Sequence, residues 1–123
     1  MGPIAREERY VLAVEALEHE VNNGGYEQWF INTRTEFLDV TGEALHAIGC
    51  PSTAAITDDA IHALRLRAPI TDATLEERLS DDDSLRAELG ACDERYYTSD
   101  EAIADRLFRW IELNPLLVRV GDA

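Results

Sequence analysis

Lysine is missing from this chain: its 11 basic side chains are all arginine, set against 25 acids for a formal net charge of -14. A field of that sign repels nucleic acid and anionic lipid and attracts basic partners, so direct nucleic-acid binding is not expected. The scattering of the arginines among acids removes any basic recognition patch as well. Cysteine is scarce; Cys50 and Cys92 alone cannot build a disulfide framework, and a reduced, cytoplasmic setting is the expectation. No run of about 18 apolar residues and no charged-then-apolar leader is present, which argues against a membrane span or a signal peptide. A phosphate-cradling loop is lacking too, because Gly24-Gly25 has neither a preceding strand pattern nor a following lysine.

What the chain does have is a 46% hydrophobic content over 123 residues, enough for one domain that buries roughly two-thirds of its unfolded surface. The apolar spacing is helical throughout. Tyr10, Ala13, Val14, Leu17 and Val21 form one stripe, with Glu8, Glu15 and His19 opposite it. The run Asn22-Asn23-Gly24-Gly25 then ends this helix, since Asn and Gly tolerate positive φ, and a short helix follows over Tyr26 to Ile31. A third helix is predicted over Thr35 to Ile48, with Phe37, Val40, Thr41, Ala44, Leu45 and Ile48 inward and Gly49 as its stop. Pro51 opens the next, which buries Ala54, Ile56, Ala60, Ile61 and Leu64 and closes at Pro69.

Two short segments are predicted next, Asp72 to Leu79 and Asp81 to Leu89, the second capped by Ser80 and ended by Gly90. Thr98-Ser99-Asp100-Glu101 reads as the capping box of a last helix with the stripe Ile103, Leu107, Trp110 and Ile111, terminated by Asn114-Pro115. The apolar run Leu116 to Val120 is too isolated for a sheet. The expectation is an all-α fold: residues 1–123 as a single compact domain of about six to seven helices.

Chemistry has few footholds. Glu43-x-x-His46 and Asp59-x-x-His62 echo the ligand spacing of di-metal carboxylate bundles. On the helical wheel, however, both imidazoles fall on the polar side, so no metal site is expected. Cys50 falls near a helix start, a placement that would lower its pKa, but no histidine is set to act as its base. The amide-rich block Asn22, Asn23, Gly24, Gly25, Gln28, Trp29, Phe30 and Asn32 leaves two readings. In one it is structural: an Asn caps the first helix, Gln28 and Asn32 bond loop backbone, and Trp29 and Phe30 anchor the short helix. In the other, Asn23, Gln28, Trp29 and Asn32 line a small polar ligand site. Amides are poor acids, bases and nucleophiles, so no catalytic residue and no cofactor is expected.

The run Val21-Asn22-Asn23-Gly24-Gly25-Tyr26-Glu27-Gln28-Trp29-Phe30-Ile31-Asn32 resembles the hallmark of the DNA-mimic protein family, small acidic bacterial proteins. There an Asn-Gly-Gly-aromatic-x-Gln-aromatic-aromatic-x-Asn block follows the first helix. The likeness is strongest over 20–49, continues through Glu43-Ala44-Leu45-His46-Ala47-Ile48-Gly49 and reaches Asp93-Glu94-Arg95-Tyr96-Tyr97. The resemblance implies an all-α fold without catalysis and an acidic surface standing in for DNA phosphates. It also implies a homodimer that occupies the DNA-binding face of a basic partner such as a transcription factor.

Mimicry needs carboxylates in rows, which helices supply at i, i+3 and i+4. Glu36, Asp39 and Glu43 make one candidate row, Asp58 and Asp59 lie on the next helix, and Glu76, Glu77, Asp81, Asp82 and Asp83 cluster further on. Arg65 and Arg78 are expected to neutralise part of this strip. A small-ligand-binding or enzymatic domain built on the amide block over residues 22–32, or a structural dimerisation module, are the alternatives.

Overall fold

The computed structural model describes residues 6–67, 69–80 and 82–114. These form six helices and no strand: α1 (Arg6–Thr33), α2 (Thr41–Ala47), α3 (Pro51–Ala63), α4 (Asp72–Leu79), α5 (Asp83–Thr98) and α6 (Ile103–Leu113). Helix α1 is the hub and packs on α2, α4, α5 and α6, while α3 packs on α2 and α5. No helix among the described residues is long and apolar enough to cross a membrane.

The break at the paired glycines lies where the sequence puts it. Gly24 (φ -158°, ψ 17°) and Gly25 (φ 80°, ψ -174°) leave helical geometry and divide α1 into two limbs. The stripe Tyr10, Ala13, Val14, Leu17 and Val21 is buried, and on the second limb Tyr26, Trp29 and Phe30 are the largest fully enclosed side chains. Tyr26 stacks edge-on against Tyr96 of α5, with ring centroids 5.9 Å apart, and shares a 2.8 Å hydrogen bond with Thr57 of α3. One aromatic knot therefore joins three helices.

Helix α2 ends as its sequence requires. Gly49 takes φ 87° and donates to His46, while Cys50 N donates to Leu45 O at 2.8 Å, the paired bonds of a Schellman cap. Pro51 sits in the first turn of α3.

Five boundaries differ from the sequence expectation. Residues 34–40 are turns rather than the start of a helix, because Arg34 takes φ 58° and Asp72 captures both the N–H and the hydroxyl of Thr35. Helix α3 stops at Ala63, well before Pro69: Arg65 turns left-handed (φ 48°), and the Arg78 guanidinium donates to the freed Leu64 carbonyl. Helix α5 starts two residues later than expected, its cap being Asp82, whose carboxylate accepts from Leu85 N at 2.9 Å, and not Ser80. It then runs straight through Gly90 to Thr98. The capping box at Thr98 does not form, because Glu101 is engaged by α3. Asp81, Pro115 and the Leu116 to Val120 run lie outside the described residues.

Candidate partner-binding surface

The amide block folds α1 back on itself. Glu20 on the first limb accepts from Gln28 Nε2 at 2.9 Å and from Asn32 Nδ2 at 3.0 Å on the second. Those two bonds hold the Glu20 carboxyl below its usual range, the Gln28 bond most strongly. The expected bonds from Gln28 and Asn32 to loop backbone are thus replaced by bonds to a side chain. Asn23 caps nothing; its amide meets the His19 ring at 3.4 Å.

Helix α5 supplies the missing caps at this break. Asp93 accepts from Tyr26 N at 2.8 Å, at the start of the second limb, and Tyr97 OH donates to Val21 O at 2.6 Å, at the end of the first. Asp93 and Tyr97 share one face of α5, four residues apart, so a single helix face serves both orphan ends. The sequence run 93–97 carried this information, but nothing local tells which distant helix end it serves.

The predicted carboxylates fall into two groups. Asp39 is ion-paired with Arg9 at 2.9 Å, Asp59 with Arg95 at 2.7 Å, Glu76 with Arg34 at 3.7 Å, Asp82 with Arg78 at 2.8 Å and Asp83 with Arg86 at 3.1 Å. Arg78 thus neutralises part of the strip as expected, whereas Arg65 pairs with Glu88 instead. The guanidinium of Arg9 holds Asp39 low, and that of Arg78, followed by the Leu85 N–H, does the same for Asp82. Glu36, Glu43, Asp58 and Glu77 enter no ion pair among the described residues, although Glu43 accepts from Tyr10 OH.

The first and second rows come together in space. Gly42 of α2, next in sequence to Glu43, lies directly against the Asp58 carboxylate of α3. Glu36, Asp39 and His62 line one groove with Arg9 and Ile61. Glu76, Asp82 and Asp83 are each engaged by an arginine, Arg34, Arg78 and Arg86 respectively.

His46 and His62 are exposed, and no group of three or more His, Cys, Asp or Glu among the described residues is placed to hold a metal. Cys50 is buried, and burial, reinforced by the Glu101 charge, pushes its thiol up. The expected activating effect of the α3 N-terminus is overridden: Glu101 occupies that end, accepting from Ser52 N at 3.0 Å and Thr53 N at 2.7 Å.

Frame and surface together define a small acidic all-α protein whose carboxylates face outward in excess of its arginines. The chain belongs to the DMP19-like protein family, whose model matches residues 2–114. No curated protein and no solved structure matches it.

Proposed function

We propose that this chain is a non-enzymatic acidic interaction protein that stands in for DNA on the DNA-binding face of a basic partner such as a transcription factor. The observation that carries this reading is the surplus of carboxylate on a rigid helical frame. Among the described residues seven arginines are in ion pairs, and even full pairing of all 11 in the sequence against its 25 acids leaves 14 carboxylates unmatched. Membership of the DMP19-like family is in keeping with this role.

B-DNA carries one charge about every 1.7 Å of axis, and its binding is driven by counterion release. Glu36, Glu43 and Asp58, with Asp39 between them, are the carboxylates best suited to that part, since arginine tempers the 76–83 cluster. Glu77 is an outlying member. In the same reading the protein acts in the bacterial cytoplasm, as a homodimer and without a cofactor. The amide block serves it only as a brace.

The test is displacement. Titrating the protein into complexes of labelled DNA with basic DNA-binding proteins of the same cell should release DNA at low salt. The logarithm of the affinity for the partner should fall linearly with the logarithm of salt concentration. The triple variant E36Q/E43Q/D58N should compete about tenfold less well, a loss of about 1.4 kcal/mol. Failure to displace DNA from any of these proteins at low salt would overturn the reading.

A further inference from the structure

The first limb of α1 and helix α6 leave a groove of about 600 Å³ between them, remote in sequence from the carboxylate rows above. Leu107, Phe108 and Ile111 form its apolar side, and Glu15 and Glu18 its acidic rim. Phe108 is 64% exposed, an unusual state for a phenylalanine in a helix that otherwise packs on a core. Asp105 lies three residues before it and Glu112 four after, so both carboxylates flank the ring on one helix face. None of Glu15, Asp105 and Glu112 enters an ion pair among the described residues.

Glu15 and Glu18 on the α1 rim, with Asp105 and Glu112 beyond the exposed ring and Arg109 between those two, leave an excess of acid around this apolar strip, and that excess selects its occupant by charge. A second copy of this chain would set carboxylate against carboxylate across the contact, at a net charge of -14 each. An uncharged apolar segment would strip water from acids without offering them a partner. We propose that this groove docks a basic amphipathic helix of a partner protein. Its apolar stripe lies on Phe108, Leu107 and Ile111, and its flanking Arg and Lys side chains reach Glu15, Glu18, Asp105 and Glu112. A helix is the fitting shape because the groove runs between two helices, and the described residues offer no strand edge to an extended peptide. The volume lies within the ordinary range of binding clefts, about 300–1,000 Å³.

This surface is separate from the DNA-like one. Phosphate mimicry needs carboxylates alone, whereas docking here needs the exposed ring as well.

The probe is a synthetic peptide with a leucine stripe flanked by lysine and arginine, beside a scrambled peptide of equal composition that has no stripe when helical. Each is titrated into the isotope-labelled full chain and followed by amide chemical shifts. The expected result is saturable shifts over 15–19 and 104–112, with binding about tenfold weaker for the scrambled peptide and for F108A. Because Phe108 is exposed, F108A should keep the wild-type melting temperature. The E15Q/E112Q variant should flatten the salt dependence while leaving the stripe preference. Equal binding of both peptides, shifts centred on Glu36, Glu43 and Asp58, or unchanged affinity in F108A would overturn the proposal. So would self-association of the free protein that F108A abolishes, because the groove would then belong to a second copy. None of these outcomes bears on DNA displacement, which F108A should leave intact.

Discussion

The Glu20 carboxylate accepts a hydrogen bond from Asn32 at 3.0 Å although twelve residues separate them. In a straight helix that interval spans about 18 Å. The two limbs of α1 therefore fold back at the glycine pair, and the amides of the block close the bend.

Gly25 is the position that cannot change. Its φ of 80° with ψ near extended is a region open essentially to glycine alone, and a Cβ there would meet the Asp93 carboxylate that caps Tyr26. G25A should destabilise the fold by about 2–3 kcal/mol. At Gly24 φ is negative and a Cβ would meet mainly the movable Gln28 amide, so G24A should cost only the bond to Glu20, about 1 kcal/mol. Urea unfolding of both variants reads the difference; equal losses would show that the backbone at Gly25 is not under constraint.

Glu101 is the second long-range cap, and its side chain is only 7% exposed. Burial pushes its carboxyl up, but the hydroxyl and N–H of Thr53, the N–H of Ser52 and the Arg106 charge outweigh that, and the net shift is downward. A depressed carboxylate contributes stability that is present above its unfolded pKa and is lost as pH falls through its folded pKa. E101Q cannot accept from both N–H groups at once, and should cost about 2 kcal/mol at neutral pH. The gap between wild type and variant should close as pH drops below about 4, where the unfolded carboxyl takes its proton. A gap that is constant from pH 7 to pH 3 would show that packing, not charge, holds Glu101 in place.

Much of this fold was legible in the sequence, because apolar periodicity and left-handed glycines act locally. The α1 stripe, the reversal at Gly24-Gly25 and the stop at Gly49 all follow from a few neighbouring residues. The boundaries that escaped were set from a distance. Thr98 to Glu101 has the form of a capping box, but α3 claims the Glu101 carboxylate, and Asp72 claims Thr35 in the same way. The carboxylate rows were visible as residue types. Which members arginine would quench was not, since Arg9, Arg34 and Arg95 reach acids 30, 42 and 36 residues away.

Gly90 shows the same limit and gives a prediction of its own. It reads as a stop, yet its turn of α5 is held by Leu89 and Cys92 packing into the core, and the helix continues through it. A Cβ at this position would meet no atom within 4 Å. G90A should therefore stabilise the protein by about 0.5–1 kcal/mol, the helix-interior difference between the two residues. Thermal unfolding measures it; a loss of stability would mean that α5 must bend at Gly90.

Asp93 poses the opposite electrostatic case to Glu101. It sits at the start of the second limb of α1, where the helix dipole and the Tyr26 N–H favour a charged carboxylate. Burial works against the charge and wins, and the negative neighbours Glu27 and Glu94 add to it, so the pKa is raised. A carboxyl raised in the fold stabilises most below its unfolded pKa, and that contribution is lost as pH rises through the folded value. D93N keeps an oxygen acceptor for Tyr26 N and never carries the charge. It should melt above wild type at pH 7, by about 2–4 °C, with the advantage fading as pH falls through the raised Asp93 pKa and gone below about pH 4, where the carboxyl is protonated in both the folded and the unfolded chain. If D93N instead melts lower at every pH, the cap needs a full negative charge, and the pull of the helix end exceeds the cost of burying it.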